Sequence, residues 1–252
     1  MINKIYILHN ISKVERGENM LYQIDNLGLC SSSDIVWKFT TPNIFKETYY
    51  NNHIKNKKIF TYGMFDCALG HYEIMKEALA LGYERIMIWE DDIVFHDDFK
   101  KYMKNIPIDA DLILCEYNSL YLPLNFFHKN KNELFLPYTT HYFFHTGGYI
   151  VNRNYMEYYT KKQEIHFTIA DEYLHKIPSD KDDNLKRYVT NKPIILQIPD
   201  GNALGDKCNY SHLPISSYIR QDVNFEDYTL TEKQKDYMSK IDMSQFKKKR
   251  RY

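Results

Sequence analysis

The first forty residues constrain this chain most. KIYILH (Lys4–His9) is an apolar run of strand length. KVERGENMLYQIDNLG then places Met20, Leu21, Ile24 and Leu27 at helical spacing and stops at Gly28, a residue suited to closing a helix C-terminus. DIVWKF (Asp34–Phe39) is a second apolar run. Strand, helix and strand in that order predict a βαβ unit and a parallel sheet.

The alternation continues. After the polar loop YYNNHIKNKK, Phe65, Leu69, Ile74, Ala78 and Leu81 repeat with helical period up to Gly82. RIMIWE reads as a strand, HDDFKKYM as a helix start capped by Asp97 or Asp98, and DLILCEY (Asp111–Tyr117) as a further strand. Tyr121–Tyr142 has little period and reads as an insertion over a binding face. TGGYIVNR (Thr146–Arg153) is a strand behind a glycine pair, RNYMEYYTKK and IADEYLHKI are helices, and KPIILQIP (Lys192–Pro199) is the last strand. With no internal repeat and no linker, the expectation is one α/β domain over residues 1–240. Its sheet is mixed, mainly parallel and flanked by helices, and a basic tail follows over 241–252.

Composition narrows the function classes. Lys plus Arg equals Asp plus Glu at 33 each, so no global basic field invites nucleic acid. The four cysteines (Cys30, Cys67, Cys115, Cys208) form no CxxC pair, which argues against zinc and disulfide frameworks and for a reduced, cytoplasmic setting. MINKIYILHN is too short an apolar run for a signal peptide, and nothing approaches the roughly 20 apolar residues of a membrane span. The ending FKKKRRY holds five of the positive charges. It reads either as a peripheral anchor for anionic lipid on the inner membrane surface or as a disordered solubilising end.

The chemistry concentrates in IMIWEDDIVF (Ile86–Phe95), where a buried strand runs into Glu90, Asp91 and Asp92. Ligands of α/β sheets bind outside the carboxyl ends of the strands. In extended chain Glu90 and Asp92 point the same way, and two close carboxylates repel unless a cation lies between them. A hard divalent ion that also binds phosphate oxygens meets that demand; a solvated acidic turn is the other reading.

YGMFDCALGHYEIMKEALALGYERIMIWEDDIVFHDDF resembles the core of glycosyltransferase family 25, the lipopolysaccharide-type galactosyltransferases. Gly63, Cys67 and His71 fall in register with the family's Gly-x-x-x-Cys-x-x-Ser-His segment, with Gly70 in place of the serine, and Glu90-Asp91-Asp92 matches its acidic strand end. KIYILHNISKVERGENM resembles the family's first strand and turn, with Arg16 in the matching place. HTGGYIVNRNYMEYY followed by ADEYL resembles its small-residue strand and the helix after it. The resemblance covers most of the chain up to about residue 200 and implies a GT-A fold (Rossmann-like), a nucleotide-sugar donor such as a UDP-sugar, and a glycan or glycolipid acceptor.

It further implies that Glu90 and Asp92 hold Mn²⁺ or Mg²⁺ against the donor diphosphate, with Asp91 on the donor ribose or sugar. An inverting transfer needs a base for the acceptor hydroxyl; Asp171 is the first candidate and Glu172 the second. His71 is a contact for donor phosphate or for the acidic turn, and Arg16 for a phosphate or an acidic neighbour. Gly147 and Gly148 allow a sugar close to the backbone, or make a tight turn. His212 is a candidate late metal or phosphate ligand. Cys67 reads as core. Two other classes stay open: a non-catalytic sugar- or nucleotide-binding protein on the same fold, and another metal-dependent nucleotidyltransferase. The second lacks a phosphate-cradling glycine or basic loop near the acidic strand.

Overall fold

The structure is a computed structural model that describes residues 1–29, 33–40, 48, 62–117, 132–138, 146–168, 170, 184–198 and 223–239. Asp171, Glu172, His212, the basic tail and most of the Tyr121–Tyr142 insertion lie outside the described residues. In chain order the elements are β1 (Lys4–Asn10), α1 (Val14–Asn26), β2 (Ile35–Thr40), α2 (Tyr62–Ala80), β3 (Arg85–Glu90), β4 (Ile93–Phe95), α3 (Phe99–Met103) and β5 (Leu112–Leu114). Then come β6 (Phe135–Pro137), β7 (Gly148–Asn152), α4 (Arg153–Ile165), β8 (Arg187–Thr190), β9 (Ile195–Gln197), a 3₁₀ turn (Phe225–Asp227) and α5 (Glu232–Ser239).

Among the described residues, seven strands form one sheet in the order β2-β1-β3-β7-β5-β8-β6, and β4 and β9 form a separate two-stranded ribbon. The βαβ expectation holds: β1 pairs in parallel with β2 and with β3. The sheet is mixed as expected, but not mainly parallel. β5 is parallel to β8, while β7 runs antiparallel to both β3 and β5, and β6 antiparallel to β8. Parallel and antiparallel ladders are therefore equal in number.

Side chains alternate across the sheet as the period of two requires. Tyr6, Leu8, Ile86, Ile88, Leu112, Leu114, Tyr149 and Val151 point to the face covered by α2 and α4. Ile7, Met87, Trp89, Ile113 and Ile150 point to the other, where Met20 and Ile24 of α1 and Phe99 and Tyr102 of α3 meet them. A third cluster joins the ribbon (Val94, Leu196, Ile198) to Tyr228 and Leu230. Fully burying a side chain of this kind contributes about 1.5–3 kcal/mol, so both faces are needed to hold the sheet.

The predicted helix ends are observed at Gly28 and Gly82, both with positive φ. Leu21 is exposed, and the buried stripe of α1 runs through Met20, Gln23 and Ile24. Gln23 is buried because its amide donates to the Thr229 carbonyl at 2.7 Å and accepts from the Phe95 N–H at 3.4 Å. Asp98 occupies the N-cap of α3 without a side-chain cap bond; its carboxylate pairs instead with Lys192 at 2.9 Å. Among the described residues no helix is long and apolar enough to cross a membrane.

Candidate active site

β3 carries its last residue, Glu90, to the carboxyl edge of the sheet, between β1 and β7. The chain then turns through Asp91 and Asp92 before β4 begins. Each of the three carboxylates is held differently.

Glu90 sits in a nest of donors. Its Oε1 lies 3.2 Å from His71 Nε2 and 3.8 Å from Cys67 Sγ, and it accepts from the Thr146 hydroxyl. Its Oε2 accepts from Gln197 Nε2 at 3.2 Å, and its backbone N–H donates to the Gly147 carbonyl at 2.9 Å. His71 is fully buried, with Nδ1 2.7 Å from the Tyr149 hydroxyl. Burial alone would push the Glu90 carboxyl up, but the His71 imidazole, the Thr146 hydroxyl and the Arg16 charge outweigh it and hold it below its ordinary value.

Asp91 turns into the protein and is 4% exposed. Its Oδ2 accepts from His9 Nδ1 at 2.7 Å and from the Asn10 N–H at 3.0 Å, and its Oδ1 from Arg16 Nη1 at 3.2 Å. The His9 ring is caged. Trp37 and Phe39 stand edge-on to it, and a Cβ on Gly17 would come within 3.1 Å of its Nε2. Both Asp91 oxygens are thus engaged by the first strand and helix, so Asp91 anchors the turn.

Asp92 shares its partners with its neighbours. Its Oδ2 lies 3.1 Å from the same Arg16 Nη1, and its Oδ1 and Oδ2 lie 3.0 and 3.2 Å from Gln197 Nε2. Burial is the main force on this carboxyl. With Glu90 and Asp91 adding to it against Arg16 and Gln197, its pKa is pushed up to about 7.

Glu90 and Asp92 therefore converge as the alternation of an extended chain predicts, although the chain has left the strand by Asp92. The point of convergence is the Gln197 amide nitrogen, whose place is fixed by the ribbon. Gln197 pairs with Ile93, and the Ile198 N–H donates to the Asp92 carbonyl at 2.8 Å. Three oxygens of two carboxylates aimed at one electropositive atom are a donor set that fits a hard divalent cation, once the amide turns away. A second group of ligand atoms, from Cys67, His71 and Glu90, lies within 4.8 Å of one another.

The glycine pair faces the protein's own atoms. A Cβ on Gly148 would lie 2.3 Å from Ile195 Cδ1, and one on Gly147 would lie 3.1 Å from Ile93 Cγ2. Gly147 N–H donates to Glu116 Oε2 at 3.2 Å, a carboxylate 1% exposed. Gly148 is thus required by the β9 contact.

Glycosyltransferase family 25, described as an LPS biosynthesis protein family, matches residues 34–174, more than half of the chain and the whole acidic turn. The chain belongs to glycosyltransferase family 25. Within it, the curated relatives "Probable inactive glycosyltransferase 25 family member 3" of Rattus norvegicus and "Inactive glycosyltransferase 25 family member 3" of Mus musculus are both 32% identical, over 65 and 73 residues respectively. Those segments are 26% and 29% of this family 25 chain but only 11% and 12% of the relatives' lengths. Among solved structures, the apo form of the glycosyltransferase GlyE of Streptococcus pneumoniae TIGR4 is similar at 9% identity and a TM-score of 0.43, over 98% of this chain and 62% of that one. The fold described above rests on strand order and register alone.

Six of the anticipated site residues therefore meet in space: Arg16, His71, Glu90, Asp91, Asp92 and Gly147. Gln197, Thr146, His9 and Glu116 join them without having been anticipated. For Gln197 the only advance sign is its place in KPIILQIP, a strand that ends level with the acidic turn.

Proposed function

We propose that this family 25 chain is a transferase acting on a nucleotide-diphosphate sugar, in all a UDP-hexose such as UDP-galactose. The sugar passes with inversion to a hydroxyl of a glycan or glycolipid acceptor of the lipopolysaccharide type. The observation that carries the reading is the convergence of Glu90 and Asp92 on one point at the carboxyl edge of the sheet. Glu90 and Asp92 are the residues that would hold Mn²⁺ or Mg²⁺, and the bound ion would supply Lewis-acid neutralisation of the charge on the departing diphosphate.

The remaining work falls to the chain's own groups. Asp91, pinned by His9 and the Asn10 N–H, keeps the turn from opening when its neighbours change partners. His71 and Thr146 keep Glu90 ionised and oriented. Arg16 is a quarter exposed and already bridges two carboxylates, so it is the cation available to a donor phosphate. The base, proposed as Asp171 with Glu172 as its alternative, takes the acceptor hydroxyl proton. The acceptor oxygen forms its bond to the anomeric carbon as the carbon–oxygen bond to the diphosphate breaks, and the electron pair leaves with the phosphate. His212 is the proposed late ligand, and the basic tail the proposed contact with anionic lipid on an inner membrane surface.

Release of nucleoside diphosphate from a panel of nucleotide sugars, with Mn²⁺ and then with excess chelator, tests this. Release that stops with chelator supports the transferase. A second reading, a non-catalytic sugar- or nucleotide-binding protein, is favoured by the names of the matched relatives, which call those proteins inactive. It predicts saturable donor binding with no release under any condition.

A further inference from the structure

We propose that Cys67, His71 and Glu90 form a site for one thiophilic divalent cation of the zinc class, distinct from the Glu90–Asp92 pair and joined to it through Glu90. α2 carries Cys67 and His71 four residues apart, which places them one turn apart on the same helix face. The end of β3 brings Glu90 opposite that face. Sulfur, imidazole nitrogen and carboxylate oxygen are the donor types zinc selects.

The spacing is close to that of a coordination shell, and small side-chain shifts would complete it. Ligands held about 2.0–2.3 Å from a tetrahedral zinc stand roughly 3.3–3.6 Å from one another. Here Cys67 Sγ and His71 Nε2 lie 3.8 and 3.2 Å from the same Glu90 Oε1, and all three ligand atoms lie within 4.8 Å of one another. Three protein ligands leave a fourth position on the ion open. Cys67 and Glu90 are partly exposed, which gives the ion a way in, whereas His71 is fully buried.

A zinc-binding histidine needs a partner on its other nitrogen to fix its tautomer, and the Tyr149 hydroxyl stands 2.7 Å from His71 Nδ1. On binding, the Cys67 thiol gives its proton to solvent. The His71 proton moves to Nδ1, where it is donated to the Tyr149 oxygen, and Nε2 is left to ligate. The Thr146 hydroxyl stays on Glu90 as an outer contact. The pair with Asp92 uses the other carboxylate oxygen, Oε2, through Gln197. One side of Glu90 thus serves a soft ion and the other a hard one. Without affinity for metal, the same three groups would be only a hydrogen-bonded cradle for a carboxylate.

Cobalt(II) titration of the metal-free protein separates these outcomes, because a cobalt–thiolate bond gives a near-ultraviolet charge-transfer band. The band is expected in the unmodified protein, in Asp92→Asn at equal intensity, and not in Cys67→Ser, which keeps Cys30, Cys115 and Cys208. Tyr149→Phe should weaken binding about 10–100-fold. Alkylation of Cys67, read by mass spectrometry in the unmodified protein, should slow under saturating Zn²⁺ and needs no variant. No band in the unmodified protein, an undiminished band in Cys67→Ser, or Zn²⁺-independent alkylation of Cys67 would each overturn the site. All of these readings are independent of sugar transfer.

Discussion

The two ends of β3 handle charge in opposite ways. At the amino end the described charged residues Glu84, Arg85, Asp109 and Asp111 each have their own polar partners. Arg85 Nη2 donates to the Ile108 and Ala110 carbonyls at 2.7 and 3.1 Å. Asp111 accepts from Asn152 Nδ2 at 2.6 Å, Asn154 Nδ2 at 3.1 Å and the Lys186 N–H at 2.7 Å. Asp109 pairs with Lys186 at 2.9 Å and Glu84 with Arg153 at 3.0 Å. At the carboxyl end three consecutive carboxylates stand beside one guanidinium, that of Arg16 on Asp91 and Asp92, and their other partners are imidazoles, a hydroxyl, a backbone N–H and one amide nitrogen. A balanced network holds the fold together; a surplus of buried negative charge weakens it and suits a site that takes up a cation. The proposed function makes that surplus the purpose of the turn.

Asp92→Asn should lower transfer by about 10³-fold with the fold intact, since several kcal/mol of charge neutralisation are lost. Steady-state turnover together with circular dichroism reads this, and unchanged turnover would put the surplus charge outside the chemistry.

The next effect is on stability. The folded Asp92 carboxyl titrates at about 7, above the ordinary aspartate value of about 3.9 for the unfolded chain. Its contribution is therefore fully present below pH ~4 and is lost as pH rises through ~7, by at most about 4 kcal/mol. Denaturant midpoints of the metal-free protein across that window should show the loss, and Asp92→Asn should show less of it.

Asp111→Ala should do the reverse of Asp92→Asn. It leaves three donors without their acceptor and should cost about 2–4 kcal/mol, while turnover per folded molecule is unchanged. Equal damage to both properties would mean that the two ends are not separable. The smallest effect is at Gly148→Ala. Its new methyl would meet Ile195 Cδ1 and should cost about 1–3 kcal/mol, partly relieved by Ile195→Val. Full tolerance would mean that the Ile195 contact does not demand a glycine at position 148.

Much of the amino-terminal half was legible because its apolar runs are long and periodic, as in β1, α1, β2, α2 and β3. β6 and β8 were not, since FLP is too short and RYVT too short and too polar to carry a period. Strand direction leaves no mark on a five-residue run, so the antiparallel insertion of β7 between β3 and β5 could not be read. In the site, Glu90 and Asp92 stood out as a spaced pair, but nothing in the triplet distinguishes Asp91, whose inward turn depends on His9, 82 residues away. Gln197 lies 105 residues from Asp92 and meets it only through the β4–β9 ribbon. The glycine at position 70, where the family carries serine, has a local reason: a Cβ there would lie 2.5 Å from Leu8 Cδ1, so α2 packs close on β1.

The most direct measurement is a calorimetric Mn²⁺ titration of the unmodified protein beside Asp92→Asn and Asp111→Asn. One saturable site is expected in the unmodified protein, retained in Asp111→Asn and lost in Asp92→Asn. Equal Mn²⁺ binding by Asp92→Asn and the unmodified protein would contradict that expectation.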